Sequence, residues 1–182
     1  MVDIAGRIAP NRWKRVINAT LIWHQGIHEN MLVAGNYVFK SYNKGENWRL
    51  ISGDLVSLSK KNDKSFSAGA FAESELEKGL LYYGTDRGSF WVSKNDGISW
   101  EERSEKIGNG YIRSIEPSKF NKSVVYMSMT GINYDDLNSY LYVSDNYGKN
   151  WKKLQGNLPN EPINFIKEDE NFEDILLSLI HI

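Results

Sequence analysis

The chain has 182 residues, contains no cysteine and carries a formal net charge of −1. A charge this close to neutral argues against nucleic acid as a partner, because nucleic-acid recognition needs a concentrated basic face. The lack of cysteine excludes a disulfide framework and a thiolate metal site. The sequence contains no run of 18 apolar residues, so no membrane span is predicted. Six tryptophans and ten tyrosines favour a strand-rich protein. We expect no metal and no cofactor.

The first part of the chain is a short lead-in followed by a unit of short strands. Residues 1–18 are basic and irregular. Strand-like runs follow at 20–23 and 31–35, and a hairpin completes a first unit over 19–55.

The same order of runs returns along the rest of the chain. A second unit is predicted over 66–104 and a third over 111–155, whereas a fourth, over 162–176, stops after its second strand. Residues 177–182 match the translation of a transposon-end adaptor used in sequencing libraries. We hypothesise that they are an assembly scar to be left out of fold reasoning. The alternative is an ordinary apolar edge strand.

One eight-residue segment, here called the octet, organises these units. It reads Ser-x-Asn-x-Gly-x-(Asn/Ser)-Trp and begins at residues 41, 93 and 144, so its period is 52 and then 51 residues. Each copy lies between two short β-type runs and is therefore predicted to be a hairpin turn. The asparagine oxygen accepts backbone N–H groups a residue or two ahead with support from the serine, the glycine supplies a positive φ, and the tryptophan opens the next strand and buries a large ring. The predicted structural positions are Ser41, Asn43, Gly45, Trp48, Ser93, Asn95, Gly97, Trp100, Ser144, Asn146, Gly148 and Trp151.

Four short strands per unit, closed by a tight outer hairpin, are typical of a β-propeller blade. No stretch has a sustained helical period, so the predicted class is all-β. A β-sandwich of short strands is the alternative, but it would not require the same octet in every unit. Three units and part of a fourth do not close a ring, so we expect a partial propeller of about three and a half blades that belongs to a larger one.

The octet resembles the Asp-box (BNR) repeat, whose pattern has Asp at the third position. This chain has Asn43, Asn95 and Asn146 there, which keeps the acceptor oxygen and loses its charge. In that family the box is a structural turn, and three octets have too few carboxylates for calcium loops.

Further segments are similar to bacterial sortilin-like (VPS10-type) propellers. They include residues 18–55, 83–88 and 156–163, and the resemblance covers nearly all of 14–176. Such proteins are often labelled glycosyl hydrolases or sortilin N-terminal domain proteins. The resemblance implies a large propeller that is exported or lies in the cell envelope, with further blades as partners of this segment.

Candidate functional residues are expected on the face opposite the octets, where the loops between second and third strands lie. The loop of the third unit is the longest, over 130–138, and binding residues concentrate on loops of a rigid scaffold. The candidate ligand-binding residues are Asp86, Arg87, Arg113, Tyr134, Asp135 and Asp136.

Each of these candidates has a structural alternative. Paired carboxylates about 5–10 Å apart would serve glycoside hydrolysis, but Asp135 and Asp136 also fit a solvated loop with an Asx turn. Arg113, on an inner strand, fits either a central channel or a salt bridge to Glu116.

The sequence thus predicts a binding scaffold for a peptide or a carbohydrate ligand. The alternative function is a propeller glycoside hydrolase that acts on a polysaccharide through paired carboxylates.

Overall fold

The chain forms short antiparallel strands joined by tight turns. The computed structural model describes residues 20–23, 31–60, 67–154 and 158–180. The strands are β1 (Thr20–Trp23), β2 (Met31–Ala34), β3 (Val38–Ser41), β4 (Arg49–Leu50), β5 (Ala68–Glu73), β6 (Leu81–Thr85), β7 (Phe90–Ser93), β8 (Glu101–Glu102), β9 (Tyr111–Pro117), β10 (Val125–Gly131), β11 (Asp136–Ser144), β12 (Lys152–Lys153), β13 (Ile163–Glu168) and β14 (Leu176–Ile180), with a 3₁₀ turn at Ile132–Tyr134. The lead-in over 1–18 lies outside the described residues.

The strands form four separate sheets. Sheet 1 has the order β1-β2-β3-β4, sheet 2 the order β5-β6-β7-β8 and sheet 3 the order β9-β10-β11-β12, while sheet 4 is the hairpin β13-β14. Every pairing between neighbouring strands is antiparallel. The predicted all-β class and the predicted four-stranded units are therefore confirmed.

Neighbouring sheets pack face to face, which places the core between them. Alternate side chains of a strand point to opposite faces of the sheet. In β6, Leu81 and Tyr83 lie in an apolar cluster shared with sheet 1, and Tyr82 lies in a cluster shared with sheet 3. In β10, Met127 packs toward sheet 2 and Tyr126 toward sheet 4. All five side chains are buried, so the second strands are apolar on both faces.

The inner strands β5, β9 and β13 share an irregularity. The pairing skips one residue in each, namely Gly69, Arg113 and Asn164. Such a β-bulge bends the strand and re-aims the extra side chain. Arg113 is therefore turned away from the regular alternation of β9, and it is exposed.

The outward face of sheet 4 is apolar and open. Phe165, Leu177 and Leu179 are 50%, 59% and 52% exposed, and Phe165 pairs with Leu179. The tyrosine that matches Leu177 in β10, Tyr126, is buried against sheet 4. The origin of residues 177–182 stays a prediction, since their first four residues belong to β14 and the last two lie outside the described residues.

The prediction of a long loop over 130–138 is wrong in its extent. Strand β10 continues to Gly131 and β11 begins at Asp136, so the connection is little more than the 3₁₀ turn. Gly131 and Asp136 are cross-strand partners. A Cβ on Gly131 would lie 2.7 Å from the Cβ of Asp136, so the glycine lets the two strands extend into what the polar composition suggested was a loop.

Candidate functional site

The three octets are structural turns with one hydrogen-bond pattern. In the first, Ser41 Oγ accepts the N–H groups of Asn43 and Gly45 and donates to Asn43 Oδ1. Asn43 Oδ1 accepts the Asn47 N–H at 2.9 Å. The other two octets repeat these bonds. Serine thus accepts the N–H groups two and four residues ahead, and asparagine accepts the N–H four residues ahead rather than one or two as in the predicted Asx turn.

Two of the octet glycines also bring neighbouring sheets together. Gly97 and Gly148 have φ of +84° and +82°, a region that a β-carbon disfavours. A Cβ on Gly97 would lie 2.7 Å from Ile51 of sheet 1, and one on Gly148 would lie 2.5 Å from the Phe90 ring of sheet 2. Each of these octets is therefore a contact surface for the preceding sheet as well as a turn.

The octets lie on the same face as the turns between first and second strands. The N–H of Asp96 donates to the Gly79 carbonyl at 2.9 Å, and the N–H of Tyr147 donates to the Ser123 carbonyl at 2.8 Å. We call this side the octet face. The turn between β6 and β7 and that between β10 and β11 lie at the opposite ends of their strands, on what we call the loop face.

On the loop face of sheet 2, a tight turn holds two of the predicted site residues. The Thr85 hydroxyl accepts the N–H groups of Arg87 and Ser89, and Gly88 takes a φ of +81°. The Asp86 carboxylate is buried and accepts the Ser67 N–H at 3.4 Å, while the Asp86 N–H donates to the Ser67 carbonyl. Asp86 therefore ties this turn to the entry of β5 and points away from solvent.

Arg87 reaches from this turn to sheet 3. Its Nη1 donates to the Tyr134 hydroxyl at 2.8 Å, and its guanidinium carbon lies 5.5 Å from the centre of the Tyr134 ring. A guanidinium close to a tyrosine ring combines a hydrogen bond with cation–π attraction. The structure thus brings two of the predicted residues together across two sheets.

Asp135 and Asp136 face different environments. Asp135 is exposed and has a φ of +55° at the end of the 3₁₀ turn. Asp136 accepts the Tyr140 hydroxyl at 2.5 Å and two bonds from Asn138. The Tyr140 bond holds the pKa of Asp136 below its usual value, and the same bond raises the pKa of Tyr140. Asp136 is therefore an anion that belongs to its own hairpin.

Arg113 does not form the salt bridge to Glu116 that was the structural alternative to a ligand-binding role. Its guanidinium carbon lies 4.5 Å from the centre of the Tyr111 ring, and Glu116 instead accepts Lys167 Nζ at 3.1 Å. Burial raises the pKa of Glu116. Sequence reasoning named Arg113 but missed Tyr111, although a tyrosine two positions earlier in a strand was a usable signal.

Two further features were missed in the sequence. The first is a buried ion cluster between sheets 1 and 2: Lys40 Nζ lies 2.5 Å from Asp96 Oδ1 and 3.5 Å from Glu73 Oε1. The second is a groove of about 590 Å³ at the outer edge of the same two sheets. Neither has a sequence motif, because each depends on which sheets become neighbours.

No group of three or more potential metal ligands converges among the described residues. In the same ranges, no helix has the length and apolar character needed to cross a membrane.

Two comparisons of the sequence with known proteins find no match. No protein-family model matches the sequence, and no curated protein matches it. The octet resemblance to the Asp-box and sortilin-like families therefore has no support from these two comparisons.

Solved propeller structures are similar in three dimensions. YCF48 from Cyanidioschyzon merolae superposes with a TM-score of 0.55 at 15% identity over 85% of this chain and 47% of that chain. YCF48 bound to D1 peptide gives 0.53 at 14% identity over 84% and 44%. The GH74 xyloglucanase from Xanthomonas campestris gives 0.53 at 16% identity over 76% and 23%.

The chain thus spans less than half the length of these neighbours. At such low identity the likeness shows the fold alone, and it agrees with the sheet order seen here. We conclude that the chain folds as part of a β-propeller.

Proposed function

We propose that this propeller segment is a binding scaffold for a peptide or a glycan, with the loop face as the binding surface. The observation that carries the proposal is the contact between Arg87 and Tyr134, which joins the turns of two sheets. A rigid β scaffold that presents polar side chains from neighbouring turns is a common arrangement for recognition.

The chemistry of this surface suits binding. Arg87 and Arg113 each lie beside a tyrosine ring, at 5.5 and 4.5 Å. Tyrosine offers a broad contact area with a polar end, and arginine offers several donors. Two of the solved neighbours have ligands of the matching kinds: one is YCF48 bound to a D1 peptide, and the other is a GH74 xyloglucanase.

The proposal is tested with the full chain by measuring binding to a peptide array and to soluble xyloglucan. We expect Arg87→Ala to weaken the binding of whichever probe binds by about tenfold. Lys149→Ala, which removes an exposed cation from the octet face, should leave binding unchanged. Equal losses in both variants, or no saturable binding of either probe, would count against the loop face.

A glycoside hydrolase is the second candidate, because two adjacent carboxylates, Asp135 and Asp136, stand at the turn of sheet 3 on this face. The lowered pKa of Asp136 suits the role of base or nucleophile, and the exposed Asp135 is the candidate for the acid. Release of reducing sugar from xyloglucan that disappears in both Asp135→Ala and Asp136→Ala would favour this function. Binding without release in the parent chain would favour the scaffold.

A further inference from the structure

We propose that the groove between sheets 1 and 2 binds an extended peptide that carries an apolar side chain next to an acidic one. The groove lies at the outer edge of the two sheets, away from the loop face. Its volume of about 590 Å³ is in the range of sites for small ligands or short peptide segments. It is independent of the function proposed above.

One wall of the groove is an edge strand. Strand β4 ends the order of sheet 1 and pairs on one side only, with β3. Among the described residues, no strand covers its outer side. An edge of this kind offers backbone donors and acceptors to an extended peptide, which binds by adding a strand.

The apolar character of the groove favours a peptide side chain over a sugar. Leu58 and Ile98 stand at its rims and are 60% and 85% exposed. Trp91 and Trp100 also line it, but Trp91 is buried and Trp100 is half-buried, so they do not present open ring faces on which a sugar could stack. Exposed aliphatic rims instead suit the insertion of a leucine-like side chain.

The charge of the groove favours an acidic side chain on the peptide. Asp96 lies in the groove, but its carboxylate is already paired with Lys40 and accepts the Tyr42 hydroxyl. Arg49 is exposed at the rim and makes no ion pair with any described residue. The remaining charge is therefore positive, and a carboxylate on the peptide complements it.

The groove also contains an unused donor. Trp91 Nε1 is buried and has no hydrogen-bond partner among the described residues, whereas Trp100 Nε1 donates to the Ile51 carbonyl at 2.9 Å. A buried indole N–H without an acceptor is costly. Because this atom has no exposed surface, a peptide acceptor reaches it only if the neighbouring side chains move, and the proposal does not depend on this donor.

The proposal is tested by fluorescence anisotropy with a labelled, capped hexapeptide of alternating leucine and aspartate, added to the full chain. We expect saturable binding that is weakened about tenfold by Arg49→Glu and about threefold by Ile98→Ser. The matched control is Lys44→Glu, which makes the same charge change at an exposed position of the neighbouring octet outside the groove lining. It should change the affinity by less than about twofold.

Two control peptides separate the contributions. A serine–aspartate peptide should bind at least about fivefold more weakly if the apolar anchor matters, and a leucine–lysine peptide should prefer the Arg49→Glu variant. Equal effects of Arg49→Glu and Lys44→Glu, equal binding of the serine peptide, or displacement by cellohexaose would overturn the proposal. Arg87→Ala should leave this binding intact, so failure of the loop-face function and failure of the groove are distinguishable.

Discussion

The junction between sheets 1 and 2 contains a buried lysine paired with two carboxylates, whereas the junction between sheets 2 and 3 combines aromatic rings with a buried arginine, Arg103, that donates to the Tyr147 carbonyl. In the first, Lys40 approaches Asp96, the fourth residue of the second octet, at 2.5 Å. In the second, the fourth octet residue is Tyr147, and Lys94 Nζ lies 3.2 Å from the centre of its ring. Val92 takes the place of Lys40. The same turn therefore accepts two kinds of contact with the preceding sheet.

The tryptophans of the second and third octets also make different contacts with the preceding sheet. Trp100 Nε1 donates to the Ile51 carbonyl of sheet 1. Trp151 instead meets the Phe90 ring of sheet 2 edge-on, with centres 4.9 Å apart, and its N–H has no partner among the described residues. The shared octet pattern thus defines the hairpin, while the variable positions define how that hairpin contacts the preceding sheet. The different contacts at the two junctions would also disfavour pairing of the wrong sheets.

The largest effect is expected at the charged junction. Lys40→Met leaves the buried Glu73 carboxylate without its cation, and Glu73 Oε2 already lacks a partner among the described residues. Removing one member of a buried ion pair costs about 3–5 kcal/mol. We expect a loss of that size in the free energy of unfolding, measured by urea denaturation.

The control is the double variant Lys40→Met with Glu73→Gln. It removes the lysine and the more deeply buried of its two carboxylates, while the remaining one, Asp96, is partly exposed to solvent, and the glutamine oxygen can still accept the Gly79 N–H that Glu73 accepts at 2.9 Å. We expect it to recover more than half of the stability that the single variant loses. A double variant as unstable as the single one would mean that Lys40 acts by packing.

The octet glycines give the next largest effect. Gly97→Ala and Gly148→Ala combine a positive φ with a Cβ that would lie only 2.7 and 2.5 Å from atoms of the preceding sheet. We expect each variant to lose about 2–4 kcal/mol in the free energy of unfolding. Gly45→Ala is the matched control, because its Cβ would lie 3.2 Å from the flexible Met31 side chain and 3.6 Å from the Trp48 ring, an ordinary van der Waals distance. It should lose about 1 kcal/mol, measured by the same denaturation. Equal losses at all three positions would show that φ alone decides and that contact with the preceding sheet does not.

Exchange of the tryptophans compares the two junctions directly. Trp100→Phe removes the donor to the Ile51 carbonyl, and we expect a loss of about 1–2 kcal/mol. Trp151→Phe keeps a ring against Phe90 and removes an N–H that has no described partner, so its loss should be below about 1 kcal/mol. Thermal unfolding of both variants checks the order, and the reverse order would contradict the assigned roles.

The sequence predicts the repeated architecture well, because that architecture is local. The spacing of the octets, the apolar second strands and the short runs around each turn all depend on neighbouring residues. The predicted roles within the octet were partly wrong: Ser41 accepts the nearer N–H groups, and Asn43 accepts the N–H four positions ahead.

The candidate site was less predictable, because its contacts join separate sheets. Nothing in the sequence around Arg87 indicates Tyr134, and Lys40 sits in an ordinary strand although its partners lie 33 and 56 residues away. The predicted extent of the loop over 130–138 was wrong for a different reason. Its polar residues and its length indicated a long binding loop, but Gly131 allows the strands to pair closely.

The smallest expected effect concerns the junction of sheets 3 and 4, where Glu116 and Lys167 form an ion pair at 3.1 Å. Burial raises the pKa of Glu116 above its ordinary value of 4.5, and Lys167 opposes the rise. A carboxyl whose pKa is higher in the folded chain contributes stability below its unfolded pKa and loses it as the pH rises through the folded pKa. Deprotonated Glu116 therefore weakens this junction near neutral pH.

Glu116→Gln should accordingly raise the Tm by at most a few degrees at pH 7, and the difference from the parent chain should shrink as the pH falls through the raised pKa of Glu116 and vanish below its ordinary value of 4.5. Glu173→Gln is the matched control, because Glu173 is exposed and its replacement should give no such pH-dependent difference. A Glu116→Gln variant that is less stable than the parent at pH 7 would mean that the Lys167 ion pair outweighs burial. This junction would then resemble the charged contact of sheets 1 and 2, where the buried cation is needed.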